Sequence, residues 1–399
     1  EAGLFFCFTD KKNFSYQQNR TVFSGLKKHK IPFILLIKYA FFCFFVYTSG
    51  SVLFSWYLLI ALTESYLSEE EKVQQTIDRL RQENSMSNQK DITRYGKPCS
   101  SDNAFTRKAR LLQSMYRVEI GEEEGVGPTR FSRRKYGNMI NGGEISGKNF
   151  LMKETFEYAK YRVKNRKENE TIDEFRLFNN LLSSMPMAFN LFYPLMLLLK
   201  QEPAIVTPAI KTVFKQFPIF EVTEIGLEFI PTPIEKYTKD KSAMDAYIKF
   251  RNDEGHEYII AIETKYTDVL GVNEARNCKD QKQMLIDTGL FDAKFEKLLT
   301  EGKVKLTQIY RNLLLTERYR MVEELQDSYS VVVSPKEHPS TEEEIKSVTK
   351  FLKPEYSYKL SAVTLEDFVN TMIHNLPGSY ASVYERFRKR YLDFEKTDL

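Results

Sequence analysis

Ala243-Met244-Asp245-Ala246-Tyr247-Ile248-Lys249-Phe250-Arg251-Asn252-Asp253-Glu254-Gly255-His256-Glu257-Tyr258-Ile259-Ile260-Ala261-Ile262-Glu263-Thr264-Lys265-Tyr266 carries the alternation and turn chemistry of a central β-hairpin. Residues 244–250 and 258–265 read as two strands around Asn252-Asp253-Glu254-Gly255, a strong turn signal. From Ile259 to Ile262 the second strand is apolar on both faces, so it belongs inside a sheet covered on both sides. An antiparallel hairpin centred on Glu254 sets Asp245 opposite Glu263, with Cβ atoms roughly 4.5–5.5 Å apart. Lys265 lies two residues beyond Glu263 and emerges on the same face. Two carboxylates so placed repel each other unless a cation lies between them.

The triplet Glu263-Thr264-Lys265 carries little by itself. The same acid-x-Lys spacing recurs at Glu70-Glu71-Lys72, Asp280-Gln281-Lys282, Asp292-Ala293-Lys294, Glu301-Gly302-Lys303 and Glu344-Ile345-Lys346. Its context separates it: it ends a buried strand, where a sheet opens into a cleft. Two hard carboxylate oxygens there suit Mg²⁺, which keeps several waters, and Mn²⁺ could stand in. The carbonyl of Thr264 is a further candidate ligand, and Glu228 in Gly226-Leu227-Glu228-Phe229 a third acid. Such a metal polarises a scissile phosphate and lowers the pKa of its bound water. The Lys265 ammonium can orient or activate that water and offset transition-state charge. Gln308, Arg311 and Asn312 share one helix face and could reach metal-bound water or phosphate. His256 falls in the turn and reads as solvated. A sheet-end salt bridge among Asp245, Glu263 and Lys265 is the structural alternative.

Outward from this stretch, helical spacing predicts helices over 104–118, 149–165 and 171–184, and an apolar, buried one after Pro186. Pro203, Pro208 and Pro218 then punctuate. A strand is expected over 220–230 and a short buried one over 329–333. Helices are expected over 303–318, 341–352, 364–375 and 379–393. Helices, a mixed sheet and helices again describe an α/β fold. Residues 86–200 form its helical N-terminal part, and 201–399 its core with C-terminal helices.

Of 399 residues, 42% are hydrophobic and 28% charged, which is globular composition with material for a sizeable core. The net charge of +4 neither demands nor excludes nucleic acid, so a basic surface would have to be local, as at Arg107-Lys108-Ala109-Arg110 or Arg130-Phe131-Ser132-Arg133-Arg134-Lys135. Cys7, Cys43, Cys99 and Cys278 are scattered, as are His29, His256, His338 and His374. That spacing suits neither a disulfide framework nor a zinc site, and it fits a reduced, cytoplasmic protein.

Residues 1–67 differ from the rest. Residues 39–62 carry no charge and are long enough to cross a bilayer. Lys27, Lys28 and Lys30 before them, with acids after, would leave the N-terminus in the cytoplasm and the main part of the chain outside. The first methionine is Met86, in Met86-Ser87-Asn88-Gln89-Lys90-Asp91. The expectation is that translation starts there and that 1–85 is an upstream extension. A membrane anchor and a signal-like segment are the alternatives.

Four stretches resemble a group of bacterial restriction endonucleases in the PD-(D/E)xK superfamily. They are Arg176-Leu177-Phe178-Asn179-Asn180-Leu181-Leu182-Ser183-Ser184 with Met185-Pro186-Met187-Ala188-Phe189-Asn190-Leu191-Phe192, then Asp240-Lys241-Ser242-Ala243-Met244-Asp245, then Ile262-Glu263-Thr264-Lys265-Tyr266, and finally Gln308-Ile309-Tyr310-Arg311-Asn312. The resemblance covers roughly residues 100–395. It implies a restriction-endonuclease-like mixed sheet flanked by helices, Mg²⁺-dependent phosphodiester cleavage and a DNA substrate. By it, Asp245, Glu263 and Lys265 match the catalytic acids and lysine, and Glu228 and Gln308 match supporting polar positions. Met244 stands where a proline often precedes the first acid. The helix around 176–184 would lie beside the active site.

The reading adopted is a Mg²⁺-dependent DNA endonuclease of a restriction or defence system, acting on duplex DNA with no small-molecule cofactor and open to working as a homodimer. The alternatives are a nuclease fold that binds nucleic acid without cleaving it, and a membrane-anchored protein using residues 39–62.

Overall fold

The computed structural model describes residues 73, 74, 78, 94–97, 99–127, 134–167, 170–268 and 278–398. The chain divides into two units, Glu1–Ser87 and Asn88–Leu399, and the second holds the sheet. The uncharged stretch 39–62, Met86 and residues 130–133 of the basic stretch lie outside the described residues. Among the described residues no helix is long and apolar enough to cross a membrane.

A mixed five-stranded sheet organises the second unit: β1 (Glu221–Phe229), β2 (Met244–Arg251), β3 (Glu257–Thr264), β4 (Asp327–Ser334) and β5 (Leu360–Thr364), side by side in that order. β1, β2 and β3 are antiparallel neighbours, whereas β4 and β5 continue parallel to β3. Parallel neighbours need crossovers. These are supplied by helices α6 (Cys278–Asp287), α7 (Ala293–Thr300) and α8 (Gln308–Val322) before β4, and α9 (Thr341–Thr349) before β5. Before the sheet come α1 (Ala104–Glu119), α2 (Lys153–Lys164), α3 (Glu174–Asn179), α4 (Ser184–Gln201) and α5 (Pro203–Val213); after it come α10 (Leu365–Asn375) and α11 (Gly378–Tyr391).

Side chains alternate across β3 as the period of two requires. Tyr258, Ile260 and Ile262 enter the larger core with α4, α5, α10 and α11, joined by Ala246, Ile248, Val331 and Val333. Ile259 and Ala261 face the other side, where Leu315 and Tyr319 of α8 cover them. Each fully buried Ile or Val contributes about 1.5–3 kcal/mol. Covering on both faces explains why β3 is apolar on successive residues, as expected from its sequence.

The turn between β2 and β3 closes on one side chain. Asn252 Oδ1 accepts from the backbone N–H groups of Glu254 (3.1 Å) and His256 (2.9 Å), and Gly255 takes φ +84°. Arg251 pairs with Glu257, Ile248 with Ile260 and Ala246 with Ile262, so the register is the one expected from a turn centred on Glu254.

Three local readings of the sequence need correction. The helix expected over 171–184 is only α3. Asn180 is extended, and the Ser183 hydroxyl accepts from Met185 N–H to start α4. Pro186 then sits in the first turn of α4, where its missing N–H has no helical partner to lose. Pro203 opens α5 in the same way, so the proline-marked segment is a helix that carries Pro208 within it. β5, α6 and α7 were not anticipated.

The strand end after β3 is anchored from afar. Tyr266 is fully buried; its hydroxyl donates to Tyr391 O (3.1 Å) and accepts from Gln113 Nε2 (3.1 Å). Beside it Arg390 is buried, with hydrogen bonds to Asn149 O (2.8 Å), Asn149 Oδ1 (2.6 Å) and Gln113 Oε1 (3.2 Å). Thus α1 and α11 clamp the residue that follows Lys265.

Candidate active site at the end of the central sheet

Strand pairing brings three acids into one row. Leu227 pairs with Ala246 and Phe229 with Met244, which sets Glu228 against Asp245. Ala246 pairs with Ile262, so the next residues toward the sheet end, Asp245 and Glu263, are set against each other. The β2–β3 ladder stops there. Beyond it, Thr264 N–H and Oγ1–H both donate to Asp245 Oδ2, at 2.8 and 2.9 Å. Asp245 thus takes a donor that β2 backbone would otherwise satisfy, and the two strands part at the site.

Glu263 is held by three donors. Lys265 Nζ lies 2.8 Å from Glu263 Oε1, with side chains only 8% and 5% exposed. Gln308 Nε2 donates to Glu263 Oε1 at 2.7 Å, and Asn312 Nδ2 to Glu263 Oε2 at 2.8 Å. Gln308 Oε1 accepts from Lys265 Nζ at 2.9 Å, which closes a ring of three side chains. Gln308 and Asn312 are one helical turn apart in α8 and meet the carboxylate from the same face. Arg311 on that turn makes no side-chain hydrogen bond or ion pair among the described residues, and its Nε is buried without a partner.

The electrostatics follow from burial and crowding. Burial first, then the Glu263 charge, raises the Asp245 carboxyl, against opposition from Lys265 and the two Thr264 bonds. Burial first, then Asp245, raises Glu228, with Arg162 opposing. For Lys265 burial acts downward, but the carboxylates of Glu263 and Asp245 outweigh it and the ammonium stays protonated. Unfavourable acids collected in one place are the kind of perturbation that marks functional sites.

Other groups surround the row. Arg176 of α3 lies 3.7 Å from Asp268, which also accepts from Ser184 Oγ at 3.4 Å. Arg176 acts on Glu228 electrostatically, which puts α3 near the acid row. His338 is buried, bonded to Asp268 O (3.2 Å) and Thr341 Oγ1 (2.8 Å), and burial lowers its pKa. Arg162 of α2 reaches the backbone of Glu228. Nothing in the sequence pointed to Arg162, Asp268 or His338, because each arrives through tertiary packing. His256 is exposed in the turn, 3.2 Å from Glu254.

Of the residues singled out in the sequence, Glu263, Lys265 and Gln308 touch one another, Asp245 binds Thr264, and Glu228 completes the row. Among the described residues no three His, Cys, Asp or Glu side chains converge closely enough to hold a metal as they stand. The donor chemistry nevertheless suits a hard cation. Asp245 and Glu263 supply carboxylate oxygens, and the Thr264 carbonyl points toward β2 with its own N–H, as N–H and C=O of one strand residue do.

No curated protein and no solved structure matches the chain. The family model of the PD-(D/E)XK nuclease superfamily matches residues 100–393, a span that holds the acid row, Lys265 and Gln308. With its mixed sheet and this match over most of its length, the chain belongs to the PD-(D/E)XK nuclease superfamily.

Proposed function

We propose that the chain is a Mg²⁺-dependent endonuclease that hydrolyses phosphodiester bonds in DNA, with Mn²⁺ able to replace Mg²⁺. The observation that carries this is the closed ring of Glu263, Lys265 and Gln308 beside Asp245 at a parting sheet end. Asp245, Glu263 and the Thr264 carbonyl would hold the cation, with Glu228 as the third acid. When bound, the cation supplies Lewis-acid charge against the phosphate and makes water more acidic. Lys265 would orient or activate the attacking water and offset the negative charge that builds on the phosphoryl oxygens in the transition state. Gln308 fixes the direction of the Lys265 ammonium, and Asn312 the plane of the Glu263 carboxylate. Hydrolysis would leave a 5′-phosphate. The scattered cysteines support a reduced, cytoplasmic setting, and a restriction or defence role fits the sequence resemblance.

A second reading rests on a specific observation. Both Glu263 oxygens are already occupied by Lys265, Gln308 and Asn312, as in a nuclease fold that binds nucleic acid without cutting. Cleavage assays separate the two. The full chain should cut or nick DNA with Mg²⁺ or Mn²⁺ and not with EDTA. If duplex, single-stranded and modified DNA and RNA all survive, or if Asp245→Ala and Lys265→Ala cut like wild type, the nuclease proposal fails.

A further inference from the structure

Glu228 stands in a conformation that its residue type resists. Its φ is +48°, in the left-handed region where glycine is at ease and a side chain is strained. Gly226 lies two positions away in the same strand. A carboxylate placed where glycine would sit without strain, at the end of an acid row, is an outlier that calls for a function.

One side chain holds that conformation. Arg162 Nη1 donates to Leu227 O at 2.6 Å, and Arg162 Nη2 donates to Glu228 O at 3.0 Å. Two consecutive peptide carbonyls are gripped by one planar fork, a geometry that a lysine ammonium cannot reproduce. Arg162 is itself fixed. Its Nη2 lies 3.3 Å from Glu170 Oε1, its Nη1 donates to Tyr158 OH at 3.1 Å, and its side chain is 14% exposed. The guanidinium therefore spends its donors on backbone carbonyls, Tyr158 and Glu170. The Glu228 carboxylate makes no hydrogen bond or ion pair among the described residues.

We propose that Arg162, a residue of the helical N-terminal part, is a positioning residue for the cation site: by gripping the Leu227 and Glu228 carbonyls it turns the Glu228 carboxylate into the row with Asp245 and Glu263. This rests on the reading of that row as a cation site. Arg162 touches neither cation nor substrate and acts through Glu228 alone. The contacts that would tie α2 to β1 for stability alone do not require an acid at position 228.

The test is direct Mn²⁺ binding by calorimetry on the full chain, without nucleic acid, for wild type, Arg162→Lys, Glu228→Gln and the double variant. Arg162→Lys should weaken Mn²⁺ binding roughly 10–100-fold, the range typical of residues that orient metal ligands. The double variant should bind no more weakly than Glu228→Gln alone, because Arg162 then has no carboxylate to place. Unchanged affinity in Arg162→Lys overturns the inference. So does an equal loss in the Glu228→Gln background, which would mean a merely structural role. Should Arg162→Lys not fold, Glu170→Gln frees one anchor of the guanidinium and should weaken Mn²⁺ binding in the same direction; no change there overturns the inference too. If wild type binds no Mn²⁺, the cation reading of the row falls and takes this inference with it. If wild type binds and Arg162→Lys matches it, the inference falls alone.

Discussion

Lys265 and Glu263 face each other at 2.8 Å, and Gln308 bonds to both. Only one orientation of the Gln308 amide satisfies this arrangement, with its oxygen on the ammonium and its nitrogen on the carboxylate. Gln308 therefore carries direction as well as polarity. Gln308→Leu should keep the fold and lower the cleavage rate roughly 10–100-fold, as for other residues that orient catalytic groups. Nucleic-acid affinity measured in EDTA should not change. A variant that cuts at the wild-type rate would remove Gln308 from the site.

Removing the cation of this pair has a second effect. Lys265→Met leaves Glu263 buried with only amide donors, and breaking a buried pair costs roughly 3–5 kcal/mol. Denaturant melts at pH 7 should show that loss. The double variant Lys265→Met/Glu263→Gln should recover most of it while remaining inactive. If the single variant is as stable as wild type, the ion pair is not buried as described.

The acid row makes metal-free stability depend on pH. Glu228 and Asp245 are both pushed up from the ordinary carboxylate range into the neutral range, chiefly by burial. The folded chain therefore holds these protons more tightly than the unfolded one. Stability is greatest below the unfolded pKa of about 4 and falls as pH climbs toward neutrality. Glu228→Gln removes one of these charges. Without divalent cations its Tm should exceed that of wild type at pH 8, with the gap closing toward pH 4. A gap that stays constant with pH would refute this electrostatic account.

Much of this was legible in local sequence because the deciding element is a hairpin. The Asn252–Gly255 turn and the apolar run 259–262 fix register and burial within one short segment, and that register sets Asp245 against Glu263. Gln308 and Asn312 could be seen as one helix face, but their shared target could not, since the path from β3 to α8 is set by tertiary packing. Pro203 and Pro208 hid α5, because a proline that opens a helix and one that breaks it look alike in sequence. β5 is a five-residue edge strand stabilised by its parallel neighbour, with too little pattern of its own. Arg162 left no trace at all, since its grip is on backbone carbonyls.

Arg311 offers a charge that no described residue pairs with. Its guanidinium makes no side-chain hydrogen bond or ion pair among the described residues, and it shares the first turns of α8 with Gln308 and Asn312. Arg311→Gln should weaken DNA binding in EDTA and reduce the slope of log affinity against log salt by about one, as for one lost phosphate contact. An unchanged slope would place Arg311 away from the nucleic acid.

The anchoring of Tyr266 sets a timetable. Its hydroxyl is bonded to Tyr391, 125 residues later in the chain, so the neighbour of Lys265 is not secured until α11 has been made. At about 5–20 residues per second, synthesis of that interval takes roughly 6–25 s. Throughout it the nascent chain already carries Glu228, Asp245, Glu263 and Lys265 but lacks the helix that holds their strand end. A chain ending at Asn375 should accordingly leave DNA uncut despite containing the entire acid row. On the proposed function, the acid row would become competent only after α11 had left the ribosome.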